Sequence, residues 1–430
     1  MKIGLEVHVA LPTRSKLFCG CSTAETQEPN VNVCPICMGF PGSKPSLNES
    51  AIIIAKSIAD ALKCKIKDKI SFVRKVYFYP DLPKSFQITQ LQDSIGMEGE
   101  LTLDSGKSIR IRRVQIEEDP AKIIRGEDHS LIDFNRAGIP LVEIVTEPDI
   151  ADKDELKSFI FVLKAILYYI GVDIDREIKA DLNISLGKER VEIKNVTGTK
   201  NLIEAADYEI KRQGELIKMG IEPIKETRSY DERTRTTASS REKETDEEYG
   251  YIYEPDLTEY DVKRYPVKTS INPVQKAKEL ALKHSYSENS ILEAIAFDRQ
   301  ALETIEENQD KFEFKTLMQA INEIKRFKIG KLDDESLRML IDEIAGGFQI
   351  DEDVIKSVIE HKKVEHNRVS SSELDRQIRE FIDKDRRIID RYKKNKKLVD
   401  YVAGEIIKRY KAQPKEVLKR AKEILDSLVK

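Results

Sequence analysis

The hydrophobic period of this chain changes once, near Pro266, and the change limits what each part can fold into. Before it, segments 3–9, 108–118, 141–146, 180–186 and 190–195 alternate apolar and polar residues with period two. Such segments are strands with one face toward a core. Between them lie helical patterns. Glu49–Lys63 places Ile52, Ala55, Ala59 and Leu62 on one face, and Asp152–Ile170 does so with Leu156, Phe159, Leu163, Ile166 and Ile170. Asn201–Met219 is a third. Strands and helices do not alternate regularly, and a hairpin is expected around Gly187. The expected class is therefore α+β with a mainly antiparallel sheet. Residues 225–250 hold almost nothing apolar and read as a long loop or ribbon. After Pro266 helical periodicity dominates, broken at Gly346-Gly347 and over the polar stretch 364–372. The expected domains are 1–267, a small helical domain over 268–345, and an all-α tail over 350–430.

The chain is 40% hydrophobic and 35% charged, and no apolar run approaches the roughly 18–20 residues of a membrane span. The opening Met-Lys-Ile-Gly-Leu-Glu-Val-His-Val alternates, unlike a secretory signal, so a cytoplasmic protein is expected. The formal net charge is −4, yet residues 371–430 carry 18 Lys and Arg against 11 Asp and Glu, a local surplus of +7. A basic end on an acidic whole fits a localised contact with a polyanion, or a solvated helical bundle rich in lysine.

Four of the five cysteines fall as Cys19-x-Cys21 and Cys34-x-x-Cys37, with twelve residues between the pairs. Thiolates paired this closely can close a tetrahedral Cys₄ zinc site over 19–37, and Pro35 suits the tight turn of a zinc knuckle. Four protein ligands leave no open position, so such a zinc is structural. A disulfide pair is the alternative, disfavoured in a reducing compartment. Cys64 sits on a helical pattern as an ordinary core thiol.

In the first strand Glu6 and His8 share a face, with Leu5, Val7 and Val9 on the other. The pair can hold a divalent metal or simply face solvent. In the segment 109–118 the apolar parity shifts at Arg112-Arg113, which predicts a bulge. Past the shift Glu118 shares the face of Val114 and Ile116, where an ionised carboxylate is costly unless paired or metal-bound. Glu143 lies inside the apolar run Ile139–Val145 and needs a partner, with Arg136 a candidate for a structural ion pair. Asp181, Asn183 and Ser185 oppose Leu182, Ile184 and Leu186, and the next strand offers Glu192 and Lys194 against Val191 and Ile193. Together these describe a sheet with one apolar face and one densely polar face, suited to hard cations and phosphates. There is no Walker glycine loop, dinucleotide fingerprint or amidase Gly-Ser-Ser signature.

Several ordered blocks carry a resemblance. They are Gly4-Leu-Glu-Val-His8-Val, Lys16-Leu-Phe-Cys, Asn32-Val-Cys-Pro-Ile-Cys37, Pro41-Gly42, Tyr77-Phe-Tyr-Pro-Asp-Leu-Pro-Lys84, Gln87-Ile, Ile116-Glu-Glu-Asp119, the run Asn135 to Ile150, Val191-Glu-Ile-Lys-Asn195 and Tyr253-Glu-Pro-Asp-Leu257. Over nearly its whole length the chain resembles the B subunits of the aspartyl/glutamyl-tRNA(Asn/Gln) amidotransferases. The resemblance implies a cradle domain of glutamine-synthetase type. It implies ATP-dependent activation of the side-chain carboxylate of a mischarged Asp-tRNA(Asn) or Glu-tRNA(Gln), then amidation. It places magnesium ligands at Glu6, His8, Glu118 and Glu143, with Glu118 and Lys75 catalytic. Lys75 and Arg241 are the candidate phosphate-facing cations, a solvated basic residue being the alternative for each. Ammonia would come from a partner amidase subunit through a tunnel that Lys84 and Asp256 line, and a small third subunit would join the two large ones. Ile388-Ile-Asp-Arg-Tyr392 and Val402-Ala-Gly404 extend the resemblance into a tRNA-binding tail, with Lys393, Lys394, Lys396 and Lys397 facing tRNA phosphates. The chain departs from the family pattern at Val76, Pro120-Ala121, Lys179-Ala180-Asp181 and Arg241-Glu-Lys-Glu244. Two other classes compete: a non-catalytic tRNA-binding scaffold, for which the acids would have to be lost, and a zinc hydrolase, for which the zinc would need an open position.

Overall fold

The computed structural model describes all residues except 127, 173–177, 243–249, 269–270, 363, 365–370, 411–413 and 430. It divides into two compact units, Met1–Lys278 and Glu279–Lys430.

The first unit is built on a nine-stranded sheet. Its order is Thr236–Glu242, Glu226–Asp231, Val191–Thr197, Lys179–Ser185, Lys2–Ala10, Pro140–Thr146, Ser108–Glu118, Gly96–Thr102 and Lys65–Ile66. Every neighbouring pair is antiparallel except Val191–Thr197 with Glu226–Asp231, which run parallel across the helix Thr199–Lys218. The expected strands and the hairpin at Gly187 are present. The bulge lies where the parity shifts: Val145 pairs with Arg113 and Thr146 with Ile111, so Arg112 is the extra residue. The polar ribbon 225–250 contributes the edge hairpin Glu226–Asp231/Thr236–Glu242.

Alternation decides which face is covered. Ile3, Leu5, Val7, Val114, Ile116, Val142, Ile144, Leu182, Ile184, Val191 and Ile193 are all buried. Helices Glu49–Ala61 and Thr199–Lys218 pack on the sheet, and Lys153–Ile170 packs against both. Burying one such aliphatic side chain contributes roughly 1.5–3 kcal/mol, so a one-residue register slip would forfeit many of these together. The middle helix is delimited locally. Asp152 caps it by accepting from the amides of Asp154 and Glu155, and Gly171, at φ 93°, ends it in a left-handed conformation that costs glycine nothing.

A three-stranded sheet stands beside the main one: Gly250–Tyr253, Val73–Val76 and Phe86–Thr89. The second unit is helical. Within Glu279–Lys430, the four helices Ser371–Lys384, Arg387–Lys394, Leu398–Tyr410 and Pro414–Val429 share their own core, which includes Ile378, Tyr392, Val402, Ile406 and Leu425. No helix among the described residues is long and apolar enough to cross a membrane.

Candidate active site and zinc knuckle

The polar face of the sheet floors a cleft of about 570 Å³ that includes Glu6, His8, Glu117, Glu143 and Asp181, with Lys75, Arg136, Lys179 and Lys194 around them. Register explains the grouping. His8 pairs with Glu143 on one side and with Lys179 on the other, and Glu6 pairs with Asp181. Cross-strand partners share a face, so strand pairing alone brings these charges together.

His8 Nε2 lies 3.4 Å from Glu117 Oε1 and 3.7 Å from Glu143 Oε1. Arg113 is 3.7 Å from the other Glu143 oxygen and is the cation nearest that carboxylate, while Arg136 instead pairs with Asp119 at 3.2 Å. One strand away, carboxylate oxygens of Glu6, Asp181 and Glu192 all lie within 4.8 Å of one another. Asn183 Nδ2 donates to Glu6 Oε1 at 3.1 Å. Among the described residues, five buried atoms on this face have no hydrogen-bond partner: His8 Nδ1, Arg113 Nε, Gln115 Oε1, Glu143 Oε2 and Asn183 Oδ1. Buried polar groups are almost always satisfied, so such a concentration fits a polar ligand or cation. Cis ligands of octahedral magnesium at ~2.1 Å lie about 3 Å apart, and among the described residues of this floor the carboxylates near enough to one another to meet one ion are those of Glu6, Asp181 and Glu192.

Electrostatics agree. Burial drives the Glu143 carboxyl up to about 7, reinforced by Glu117, with His8 and Arg113 opposing. Burial also drives Asp119 up to about 6 against the pull of Arg136. For His8, burial disfavours the charged ring, but Glu117, Glu143 and Asp181 outweigh it and raise its pKa. A buried carboxyl raised as Glu143 is would be brought back to its charged form by a nearby divalent cation.

The structure does not bring Glu118 to this group. Glu117 and Glu118 project to opposite faces of one strand. The Glu118 carboxylate accepts from the Lys84 ammonium and, at 2.9 Å, from the Ile88 amide. Its face is that of Val114 and Ile116, and the cost of burying it there is met by this ion pair. The place on the cleft floor beside His8 belongs to Glu117, which sequence reasoning missed, although its parity with Arg113 and Gln115 was readable. Asp181 and Glu192 were placed on the polar face but not grouped with Glu6.

Lys84 and Asp256 line a second, smaller cavity of about 180 Å³ with Arg74, Phe86, Ile88 and Glu254. Arg74 makes a two-pronged bond to the buried Glu254, 2.8 Å on each arm, and reaches Asp256 at 3.6 Å. The three-stranded sheet separates the two spaces: Arg74 and Ile88 face the smaller cavity, while Lys75 and Gln87 face the cleft. Arg241 pairs with Thr227 in the edge hairpin, and its side chain lies outside the described residues.

Near the cleft, the Sγ atoms of Cys19, Cys21, Cys34 and Cys37 lie within 4.8 Å of one another. A tetrahedral zinc with ~2.3 Å bonds sets sulfurs about 3.8 Å apart, so the donor set fits. Without a metal the thiols hydrogen-bond among themselves. The bond from Cys19 holds the Cys37 thiol down to about 5 and raises Cys19, and burial lifts Cys21 to about 11. Lys16, fully buried, donates to Phe134 O at 3.1 Å with Cys37 Sγ at 3.8 Å, offsetting thiolate charge.

In the tail, Lys396 is engaged locally. It bonds Asp426 at 3.0 Å and lies 4.1 Å over the Tyr392 ring. Lys393 and Lys397 are exposed, and the Lys394 side chain lies outside the described residues.

A mainly antiparallel sheet with an acid-floored cleft and a four-cysteine knuckle defines a class, and residues 1–268 match the family described as GatB/GatE catalytic domain. Curated B subunits of aspartyl/glutamyl-tRNA(Asn/Gln) amidotransferases are similar to this chain. That of Methanoregula boonei is 47% identical over 270 residues, 59% of this chain and 56% of its own. In that match the chain spans little more than half of the relative's length. The proteins of Sulfurisphaera tokodaii (34% identical, 99% of each chain) and Persephonella marina (36%, 98% of each) match end to end. The chain belongs to the family of these amidotransferase B subunits.

Proposed function

We propose that the cleft activates the side-chain carboxylate of a mischarged Asp-tRNA(Asn) or Glu-tRNA(Gln) with ATP and then amidates it. The observation that carries this is the floor of clustered acids with unsatisfied buried atoms, ringed by Lys75, Arg136, Lys179 and Lys194. Magnesium, when bound, would offset the negative charge of the phosphates. Glu6, His8, Glu117 and Glu143 would hold it, with Asp181 and Glu192 beside them. Lys75 and Arg241 are the proposed phosphate-facing cations. A carboxylate oxygen of the substrate attacks the γ-phosphorus, ADP leaves, and an acyl phosphate remains. Ammonia then attacks the acyl carbon, the phosphate departs, and the proton shed by nitrogen leaves on it as hydrogen phosphate.

The ammonia would be made by a partner amidase subunit acting on glutamine. It would enter past Asp256 and Lys84, where Glu118 also sits, so Glu118 serves in this reading by orienting Lys84. A mainly antiparallel sheet carrying its acids on one face supports a glutamine-synthetase-like cradle over 1–267. The helical domain 268–345 and tail 350–430 would bind tRNA, with Lys393, Lys394 and Lys397 toward its phosphates and Lys396 tied within the tail, and a small third subunit would complete a cytoplasmic heterotrimer. The zinc is structural, because four thiolates fill its coordination.

The test is transfer of labelled γ-phosphate from ATP to mischarged aminoacyl-tRNA by the purified complex. Glu117→Gln should lower transfer by at least about a hundredfold, as expected when a charge-stabilising group is lost from the reacting centre. Transfer at the wild-type rate would refute the assignment.

A further inference from the structure

The wall of the cleft carries aromatic rings that the chemistry above does not use. Tyr77 lines the cleft, with Lys75 Nζ 5.8 Å from its ring centroid. Tyr251 pairs directly with Lys75 in the neighbouring strand, so it shares the cleft-side face, and it is 41% exposed. Phe78 is 86% exposed and Tyr79 49%. Phe78 is among the most exposed large apolar side chains of the molecule, next to a cleft lined with charge.

This exposure is not fraying. The turn after Tyr79 is closed by hydrogen bonds from Leu82 N to Tyr79 O and from Ser85 N to Leu82 O, both 3.0 Å. Leu82 is buried beneath it, and Ala121 N donates to Asp81 O at 2.9 Å, tying the turn to the end of the strand that carries Glu117. A rigid turn that holds a phenylalanine in water leaves a large flat apolar face unpaired.

We propose that Phe78, with Tyr77 and Tyr251, is a stacking platform for the unpaired bases at the 3′ end of the RNA substrate. The inference rests on the proposed function, which puts an aminoacyl group on the cleft floor. The RNA body is far too large for a 570 Å³ space, so only its single-stranded terminus can enter, past a lining that includes Tyr77, next to Phe78 in the chain. Every base presents a π face, and aromatic rings beside cations are the common way proteins hold unpaired nucleotides. Arg136, also in the cleft lining, supplies charge for the backbone phosphates. ATP is the other source of a purine ring, and because Phe78 lies outside the cleft lining the KM for ATP distinguishes the two.

The experiment has two arms. In the first, the full chain is titrated with a labelled oligoribonucleotide ending in unpaired ACCA and with the same strand lacking its 3′-terminal base. The wild type should prefer the intact strand about tenfold, the scale of one lost stacking contact. Phe78→Ala should erase the preference and Phe78→Trp restore it. In the second, the assembled complex should show KM for aminoacyl-tRNA raised about tenfold by Phe78→Ala, with KM for ATP unmoved. The platform is overturned if the wild type does not discriminate between the strands, if Phe78→Ala discriminates as the wild type does, if KM for ATP rises instead, or if the variant fails to co-elute with its partner subunits. Discrimination without phosphate transfer by the wild type would refute the proposed function and leave the platform standing.

Discussion

Glu117 and Glu118 are adjacent in one strand and serve different spaces. Glu117 Oε1 lies 3.4 Å from His8 Nε2 on the cleft floor, and Glu118 Oε1 receives the Lys84 ammonium and the Ile88 amide on the opposite face. The period-two pleat puts one acid on the cleft floor and the other against Lys84, which lines the smaller cavity, with no loop required.

This division predicts a contrast. Glu117→Gln should weaken Mn²⁺ binding by about tenfold or more, because a charged ligand becomes neutral, while Glu118→Gln should leave it within about twofold. Calorimetric titration of the purified chain decides it, and the reverse pattern would exchange the two roles.

Glu143 predicts a pH dependence with a fixed sign. Burial raises its carboxyl to about 7 in the ion-free fold, above its ordinary value of 4.5. The folded state therefore binds more protons than the unfolded state between those values, so this group's contribution to stability is full below about 4.5 and is lost as pH rises through about 7. A bound cation requires the deprotonated form, so Mg²⁺ affinity should rise over the same interval and its stabilising effect should grow. Melting temperatures with and without Mg²⁺ from pH 5 to 8 should diverge as pH rises; convergence would contradict the assignment.

The polar face was readable from alternation alone, because Glu6 with His8 and Asp181 with Asn183 sit at spacings of two against apolar neighbours. Parity also placed Glu118 beside Val114 and Ile116, where the structure has it. The resemblance instead grouped Glu118 with the ion ligands, and a block Ile116-Glu-Glu-Asp119 does not reveal by itself which acid faces the cleft. The wall between the two cavities was not legible. Its strands are four residues long, and Val73 pairs with Tyr253 across 180 positions, a register that no local pattern encodes. The edge hairpin Glu226–Asp231/Thr236–Glu242 was similarly hidden, because it is held by a buried polar network. Glu209, fully buried, accepts from Arg212 and Gln213, and Arg228 bonds Glu226 at 2.9 Å.

The knuckle predicts selective thiol chemistry. Zinc content should be one per chain by elemental analysis and should fall with Cys34→Ser. After chelation, Cys37, whose thiol the bond from Cys19 holds down to about 5, should alkylate first at pH 8. Cys64, whose thiol burial pushes up to about 12, should not react until the chain unfolds. Rapid native labelling of Cys64 by mass spectrometry would contradict its burial.

Lysines of the tail should separate into two kinds. Lys393→Ala and Lys397→Ala should each lower RNA affinity and reduce the slope of log affinity against log salt by about 0.7–0.9. Lys396→Met should act chiefly on the tail itself, speeding amide exchange where Tyr392 and Asp426 meet. Equal salt slopes for all three variants would show that Lys396 reaches the RNA phosphates as Lys393 and Lys397 do.

The central claim is tested most directly by anomalous diffraction from crystals of the full chain soaked in Mn²⁺. The account predicts a peak within roughly 2.2 Å of His8, Glu117 and Glu143 atoms. A peak at Glu118 instead, or an empty cleft floor at saturating Mn²⁺, would contradict it.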